Sequence, residues 1–414
     1  MTRALLVCPE PLGHRQPAGI GIRFLEMANV LLADGHEVTL LSRDAGTVAG
    51  CRAGEITPES LHRHTSEAEV VVVQGHAAND LFGHGFGHGF GHGFAHGSPI
   101  PTVVDLYDPF IIENLHYYPA HGAEVFTHDH ATLMQSLLRG DLFLCASEAQ
   151  RLFYLGALLA AGRVNPIAFG NDPHFDALIR IAPFGVPPPG TAGVSPALPG
   201  VLFGGIYDWY DPILAIEAVA TARASLPDVT LTFTTHPNPS LTPQGKLAEA
   251  IEHTKRKGYD FVRFEPWVAY EQRAAFYGRF GAALLTFPQS IETDLSMRTR
   301  VYDYLWGQLP IVTSSAPGTD ELLIRYGAGE VVHSASPEDF ANALVRVLGN
   351  ERMREGARHF VDEHQWPHTL HPLVDFVRQP HADPRKEAFA AKMQVPEHSR
   401  SFLERIKRRI GGSS

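Results

Sequence analysis

Glu292, Arg298, Arg300 and Asp303 crowd into one short stretch of FPQSIETDLSMRTRVYDYLWGQLPIVTSS (287–315). Carboxylates accept hydrogen bonds from hydroxyls, and guanidinium groups match phosphate or carboxylate oxygens, so the set suits an anionic ligand that also carries hydroxyls. The cluster lies between two apolar strand-like runs, GAALLTF (281–287) and LPIVTSS (309–315), and helical text over 298–308 begins inside it. A strand end followed by a helix start is where an α/β sheet presents ligands, and the helix N-terminus favours an anion. Arg298 and Arg300 stand at i, i+2 and cannot share one helical face. The plain alternative is a surface arginine paired with Glu292 or Asp294.

Other residues with chemical potential are scattered. PAGIGIR (17–23) brings Gly19 and Gly21 to the start of a first helix, where a backbone without side chains admits close approach of a phosphate, or simply makes a turn. PTVVDLYDPF (101–110) puts Asp105, Tyr107 and Asp108 at the end of a strand. FGHG repeats over 82–97 space His84, His88, His92 and His96 four apart. In a helix these would align as metal ligands, but each glycine costs about 0.8–1.0 kcal/mol relative to alanine there, so a low-complexity loop is expected. His236 in THPNP is expected at a strand end, and Trp209 and Trp267 are candidates to stack on a ring, although packing is the commoner fate of such residues.

The elements that must position these residues alternate strand with helix, the pattern of parallel α/β architecture. ALLVCPE (4–10), a helix over 22–35 and EVTLLSR (37–43) open the chain, and strands follow at 71–74, 102–107, 142–147 and 179–185. VPPPGTAGVSPALPG (186–200) leaves no room for regular structure, and the alternation restarts at VLFGGI (201–206). The 414 residues exceed the roughly 250–300 over which one core keeps growing. We expect a first Rossmann-like domain over 1–187, a linker over 188–200, a second over 201–375 and a tail over 376–414. A net charge of −11 argues against a nucleic-acid binder with a broad basic surface, and three scattered cysteines make neither a disulfide framework nor a metal motif. The start of the chain reads as a strand and not as a signal peptide, and no run reaches the roughly 18 apolar residues of a membrane span, so the cytoplasm is expected.

GGIYDWYDPILAIEAV (204–219), THPNP, FEPWVAYEQRAAFY (264–277) and SIETDLSMRTRVYDYLWGQLPIV (290–312) together resemble the GT-B glycosyltransferases, most closely glycosyltransferase family 4 and the related family 1 domain. The resemblance implies two Rossmann-like domains facing across a cleft. The nucleoside-diphosphate-sugar donor, such as a UDP-sugar, would lie mainly on the second domain, and a glycan, lipid-linked or small-molecule acceptor on the first. It implies no cofactor and no metal requirement. The family has two acids separated by seven intervening residues before a helix ending in Gly-x-Pro. Asp303 matches the second, which bonds the ribose. The first would fall on Leu295, so Glu292 is taken as the ligand of the donor sugar. The Arg/Lys pair that usually neutralises the diphosphate is missing. At its place stand Gly204 and Gly205, leaving Arg298 and Arg300 to supply charge. Backbone groups around Phe264–Val268, Trp267 and Val268 among them, match the place where relatives hold the base.

Tyr107 precedes Asp108 where many members have a His-Asp pair. Retention, expected from the family, needs no carboxylate nucleophile. Inversion would make Asp105 or Asp108 a general base, and helix capping is the alternative for both. An epimerase and a silent scaffold subunit are the competing readings. Phe402, Leu403, Ile406 and Ile410, among basic residues, would suit peripheral contact with an anionic membrane, a helix returning to the first domain, or an unstructured end.

Overall fold

The structure, a computed structural model, describes residues 1–13, 17–44, 46, 48–82, 100–116, 118, 123–188, 200–235 and 245–383. Strands β1 (Arg3–Val7), β2 (Glu37–Ser42), β3 (Arg52–Glu55), β4 (Val70–Gln74), β5 (Thr102–Asp105), β6 (Leu142–Cys145) and β7 (Ile179–Ile181) form one sheet. Its order is β3-β2-β1-β4-β5-β6-β7, and every pairing is parallel. A parallel strand covered by helices on both faces must be apolar on both, which is why VVVV of β4 is an unbroken run and is buried throughout.

The second sheet contains β8 (Gly200–Gly205), β9 (Thr230–Thr234), β10 (Val262–Glu265), β11 (Ala282–Leu285), β12 (Ile311–Ser314) and β13 (Gly329–Val332). Its order is β10-β9-β8-β11-β12-β13, again all parallel. In each sheet the winding direction reverses once, between β1 and β4 and between β8 and β11. Crevices at the carboxyl ends of strands open at such switch points. The loop leaving β1 carries Glu10, β8 ends in Gly204–Gly205, and both line one cavity between the two sheets.

Two stretches of chain join the halves side by side. Val186 pairs in parallel with Gln365, and its N–H donates to the His364 carbonyl at 2.8 Å. After this crossing the helices Trp366–Thr369 and His371–Arg378 lie against the first half. Trp366 packs edge-on to Phe184 at 4.6 Å, and Arg378 holds Asp34 at 2.5 and 2.9 Å. The return to the first half therefore begins about ten residues before 376, where the sequence placed the start of the tail. Residues 189–199 of the expected linker, the FGHG repeat from 83 onward, His236 and the basic segment after 383 lie outside the described residues. Among the described residues no helix is long and apolar enough to cross a membrane.

Candidate functional site

A cavity of about 260 Å³ opens between the two halves and is walled by both. On the second half, β8 ends in a bulge at Gly204, whose φ of +78° a side chain would oppose. A Cβ there would also stand 2.6 Å from the Tyr304 hydroxyl, which donates to the Phe203 carbonyl. Arg300, from the helix Thr299–Trp306, donates to the Gly205 carbonyl at 2.6 Å and lies 4.3 Å over the Tyr210 ring. It braces the Gly204–Gly205 turn from within the cleft.

Arg298 is the N-cap residue of the same helix and is only 6 % exposed. Its Nη2 donates to Glu292 Oε2 at 2.8 Å, and the guanidinium lies 4.1 Å over the Phe287 ring. Among the described residues its Nε and Nη1, both buried, have no hydrogen-bond partner. An unsatisfied buried donor costs about 1–3 kcal/mol, more when charged. Arg298 itself lines the cavity, its guanidinium packed between Glu292 and the rings of Phe287 and Tyr210. Glu292, expected to hold the sugar, lines the cavity; its Oε2 accepts from Arg298 and, at a weaker 3.5 Å, from the Thr293 hydroxyl.

Asp303 also lines the cavity. Its Oδ2 accepts from Arg273 Nη1 at 2.8 Å and from the Tyr277 hydroxyl at 3.2 Å. Burial pushes its carboxyl above the usual range, while Arg273 and Tyr277 pull it back. Arg273 itself is stacked on Trp267, 4.9 Å from the ring. Trp267 and Val268, in the loop after β10, and Trp209, stacked on Tyr207 at 4.8 Å, complete this wall.

On the first half, the helix Gly19–Ala33 starts at the cavity, and a Cβ on Gly19 would meet Thr299 of the opposite half at 2.9 Å. Gly21 does not line the cavity. Its missing side chain makes room for Glu10, whose Oε2 accepts from the N–H groups of Gly21 (2.9 Å) and Ala18 (3.3 Å). Glu10 does line the cavity, and burial raises its carboxyl against those two bonds.

Asp105 lies below the site, outside the cavity. Both its oxygens are held by the fully buried Arg23, at 2.8 and 3.0 Å, so the carboxylate is a structural counter-ion and not a free base. Tyr107 reaches the cavity with its ring, but its hydroxyl donates to the Met297 carbonyl at 2.8 Å. Asp108 is hydrogen-bonded to Glu113. Burial, then the neighbouring Glu113 charge, holds Asp108 well above the usual carboxylate range, and burial followed by Glu292 raises Glu113. Neither caps the helix Phe110–Glu113, whose N-cap is Pro109.

Chains of known structure share this architecture. Sucrose-phosphate synthase from Thermosynechococcus elongatus superimposes with a TM-score of 0.61 at 14% identity, covering 94% of this chain and 100% of that one. HepE from Anabaena, in complex with UDP and glucose, gives 0.63 at 13% identity over 92% and 100% of the two chains. WaaG, a glycosyltransferase involved in lipopolysaccharide biosynthesis, gives 0.60 at 15% identity over 91% and 100%. The fold is GT-B. No protein-family model matches the chain, and no curated protein matches it in sequence.

Of the residues singled out from sequence, the GT-B cleft gathers Gly19, Tyr107, Asp108, Gly204, Gly205, Trp267, Val268, Glu292, Arg298, Arg300 and Asp303, and leaves out Asp105 and Gly21. Sequence reasoning missed Glu10, Glu113 and Arg273. Arg273 alone left a trace, as the lone cation of AYEQRAAFY (269–277), shortly after Trp267.

Proposed function

We propose that the chain transfers a sugar from a nucleoside-diphosphate-sugar, with UDP as the first candidate nucleotide, to a hydroxyl-bearing acceptor. The observation that carries this reading is Arg298, which lines the cleft and has two buried N–H groups unpartnered among the described residues. A diphosphate would satisfy both, next to a helix N-terminus whose dipole has the right sign. Asp303, held by Arg273, is the candidate ribose ligand and Trp267 with Val268 the base-side wall. Gly204 and Gly205 would admit the phosphates close to the backbone. UDP as donor nucleotide is supported by the structures of HepE, of the same fold, in complex with UDP-glucose and with UDP and glucose.

The acceptor oxygen would attack the anomeric carbon as the bond from that carbon to the diphosphate oxygen breaks, the electron pair leaving with the nucleoside diphosphate. The acceptor proton then needs a base. Asp108 and Glu113, raised carboxyls bonded to each other, line the acceptor side of the cleft and share one hydrogen bond between them. The departing phosphate oxygen is the acceptor that the family resemblance implies, in a transfer with retention, and the Asp108–Glu113 pair is the alternative, in a transfer with inversion. Glycan, lipid-linked and small-molecule acceptors all fit a first-half wall of this kind.

The test is a thermal-shift panel of UDP, GDP and dTDP followed by assay of donor-sugar hydrolysis. Binding of at least one nucleotide is expected, with turnover reduced at least about tenfold by Arg298→Ala, the loss of a charge-assisted contact of about 1.5–3 kcal/mol. Absence of binding by all three, or full turnover in Arg298→Ala and Asp303→Ala, would sink the reading.

A further inference from the structure

The residues just before Arg298 are gripped, one after another, from the opposite half. Gln150 Nε2 donates to the Leu295 carbonyl at 2.8 Å. The Ser296 hydroxyl donates to Glu113 Oε1 at 3.0 Å. The Tyr107 hydroxyl donates to the Met297 carbonyl at 2.8 Å. Gln150 is fully buried, and its amide is otherwise used to fix its own half, accepting from Ala146 N–H at 2.7 Å and donating to the Tyr107 carbonyl at 3.0 Å. The segment so held links two short helices, Ile291–Leu295 and Thr299–Trp306, and has no ladder partner of its own. Its other end is Arg298, whose guanidinium is held in its own half by the bond to Glu292 and by ring contacts, and whose carbonyl accepts from the Val301 N–H at 2.9 Å.

We infer that Tyr107, Glu113 and Gln150 are positioning residues for Arg298: the first half sets the guanidinium that receives the diphosphate, and that site is complete only when residues 295–297 are docked across the cleft. None of the three needs to touch the nucleotide. The inference rests on the donor reading above and adds to it that affinity for a nucleotide bound on the second half depends on hydrogen bonds made by the first. Because Glu113 is bonded to Asp108 as well as to Ser296, a change on the acceptor wall reaches Arg298 through one side chain. By linkage, a ligand that disturbs Glu113 changes donor affinity, and donor changes that ligand's affinity by the same factor.

The test uses the full chain and UDP as probe, with titration calorimetry of the unaltered protein, Arg298→Ala, Tyr107→Phe, Ser296→Ala and the two double variants that combine the latter with Arg298→Ala. Tyr107→Phe and Ser296→Ala each remove one hydroxyl and are expected to weaken UDP about three- to tenfold, the range of one neutral hydrogen bond. In the Arg298→Ala background the same changes should weaken UDP no further, because their effect passes through the missing guanidinium. A merely structural role would give equal losses in both backgrounds and would overturn the inference, as would unchanged affinity in both single variants. Ser296→Ala, on the shorter side chain, guards against a folding defect in Tyr107→Phe. If UDP binds the unaltered chain and is weakened by Arg298→Ala alone, the positioning role falls and the donor reading stands. If the unaltered chain binds only GDP or dTDP, that nucleotide replaces UDP in the same series with the same expected losses; if it binds none of the three, both fall.

Discussion

At the scale of single residues, the cleft is an exercise in charges that cannot all be ionised together. Glu10, Asp108, Glu113, Glu292 and Asp303 line it against Arg273, Arg298 and Arg300. Glu292 and Asp303 have arginine partners; Asp108 and Glu113 have chiefly each other and Ser296. A carboxyl raised on folding contributes stability that is full below its unfolded value and is lost as pH rises through its folded value. Asp108→Asn keeps the shape and removes the charge, so the variant should be more stable than the parent at pH 8, with the advantage shrinking towards pH 5. Melting temperatures of both proteins across that range check it; a constant difference would mean that Asp108 is not protonated on folding. Residue types were the most legible level of the sequence. Arg298, Asp303 and Asp108 were named from residue type, from their place at strand and helix ends and from the family resemblance, whereas nothing in PTVVDLYDPF shows that Arg23, distant in sequence, would occupy both oxygens of Asp105.

At the scale of elements, what the sequence disclosed was hydrophobic period, and what it hid was everything made by shape. Strands such as β4 and β11 are continuous apolar runs, and their neighbours in the sheet follow from βαβ handedness. The edge strand β3, RAGE, has no apolar signal because its side chains are largely exposed, and it was not anticipated. Glycines mark the other hidden feature, close approach. Gly204 was read as room for a phosphate, yet its positive φ and its place under the Tyr304 hydroxyl also make it the pivot of the bulge ending β8. Gly204→Ala should cost about 1–2 kcal/mol from the left-handed backbone alone. Displacing the hydroxyl, which would stand 2.6 Å from the new Cβ, adds to that. In a Tyr304→Phe background the second contribution disappears, the next ring atom standing at 3.7 Å. Chemical denaturation of the four proteins should therefore give a smaller alanine penalty in the phenylalanine background; an equal penalty would remove Tyr304 from the account.

At the scale of the whole molecule, the decisive contacts are those that the chain makes after leaving the second half. The helix Glu351–Glu363 packs on the second half, yet Trp366 a few residues later is only 3 % exposed against the first. Gly185 leaves the notch that Trp366 fills, since a Cβ there would stand 2.5 Å from the indole. Such a strap joins the stabilities of two sheets that otherwise touch through the cleft and through the paired crossing at Val186 and Gln365. None of this was readable from periodicity, because a returning helix has the same pattern whichever core it covers. Trp366→Ala removes the indole from a buried site, a change of about 3–5 kcal/mol, and should weaken the contact between halves more than either sheet. Calorimetric unfolding, expected as one transition in the parent, should separate into two in the variant. Bound UDP should then raise the transition of the second half and, through residues 295–297, draw the two back towards one. A single transition lowered as a unit, unresponsive to UDP in its breadth, would instead make Trp366 an ordinary core residue and leave the cleft as the principal coupling between the halves.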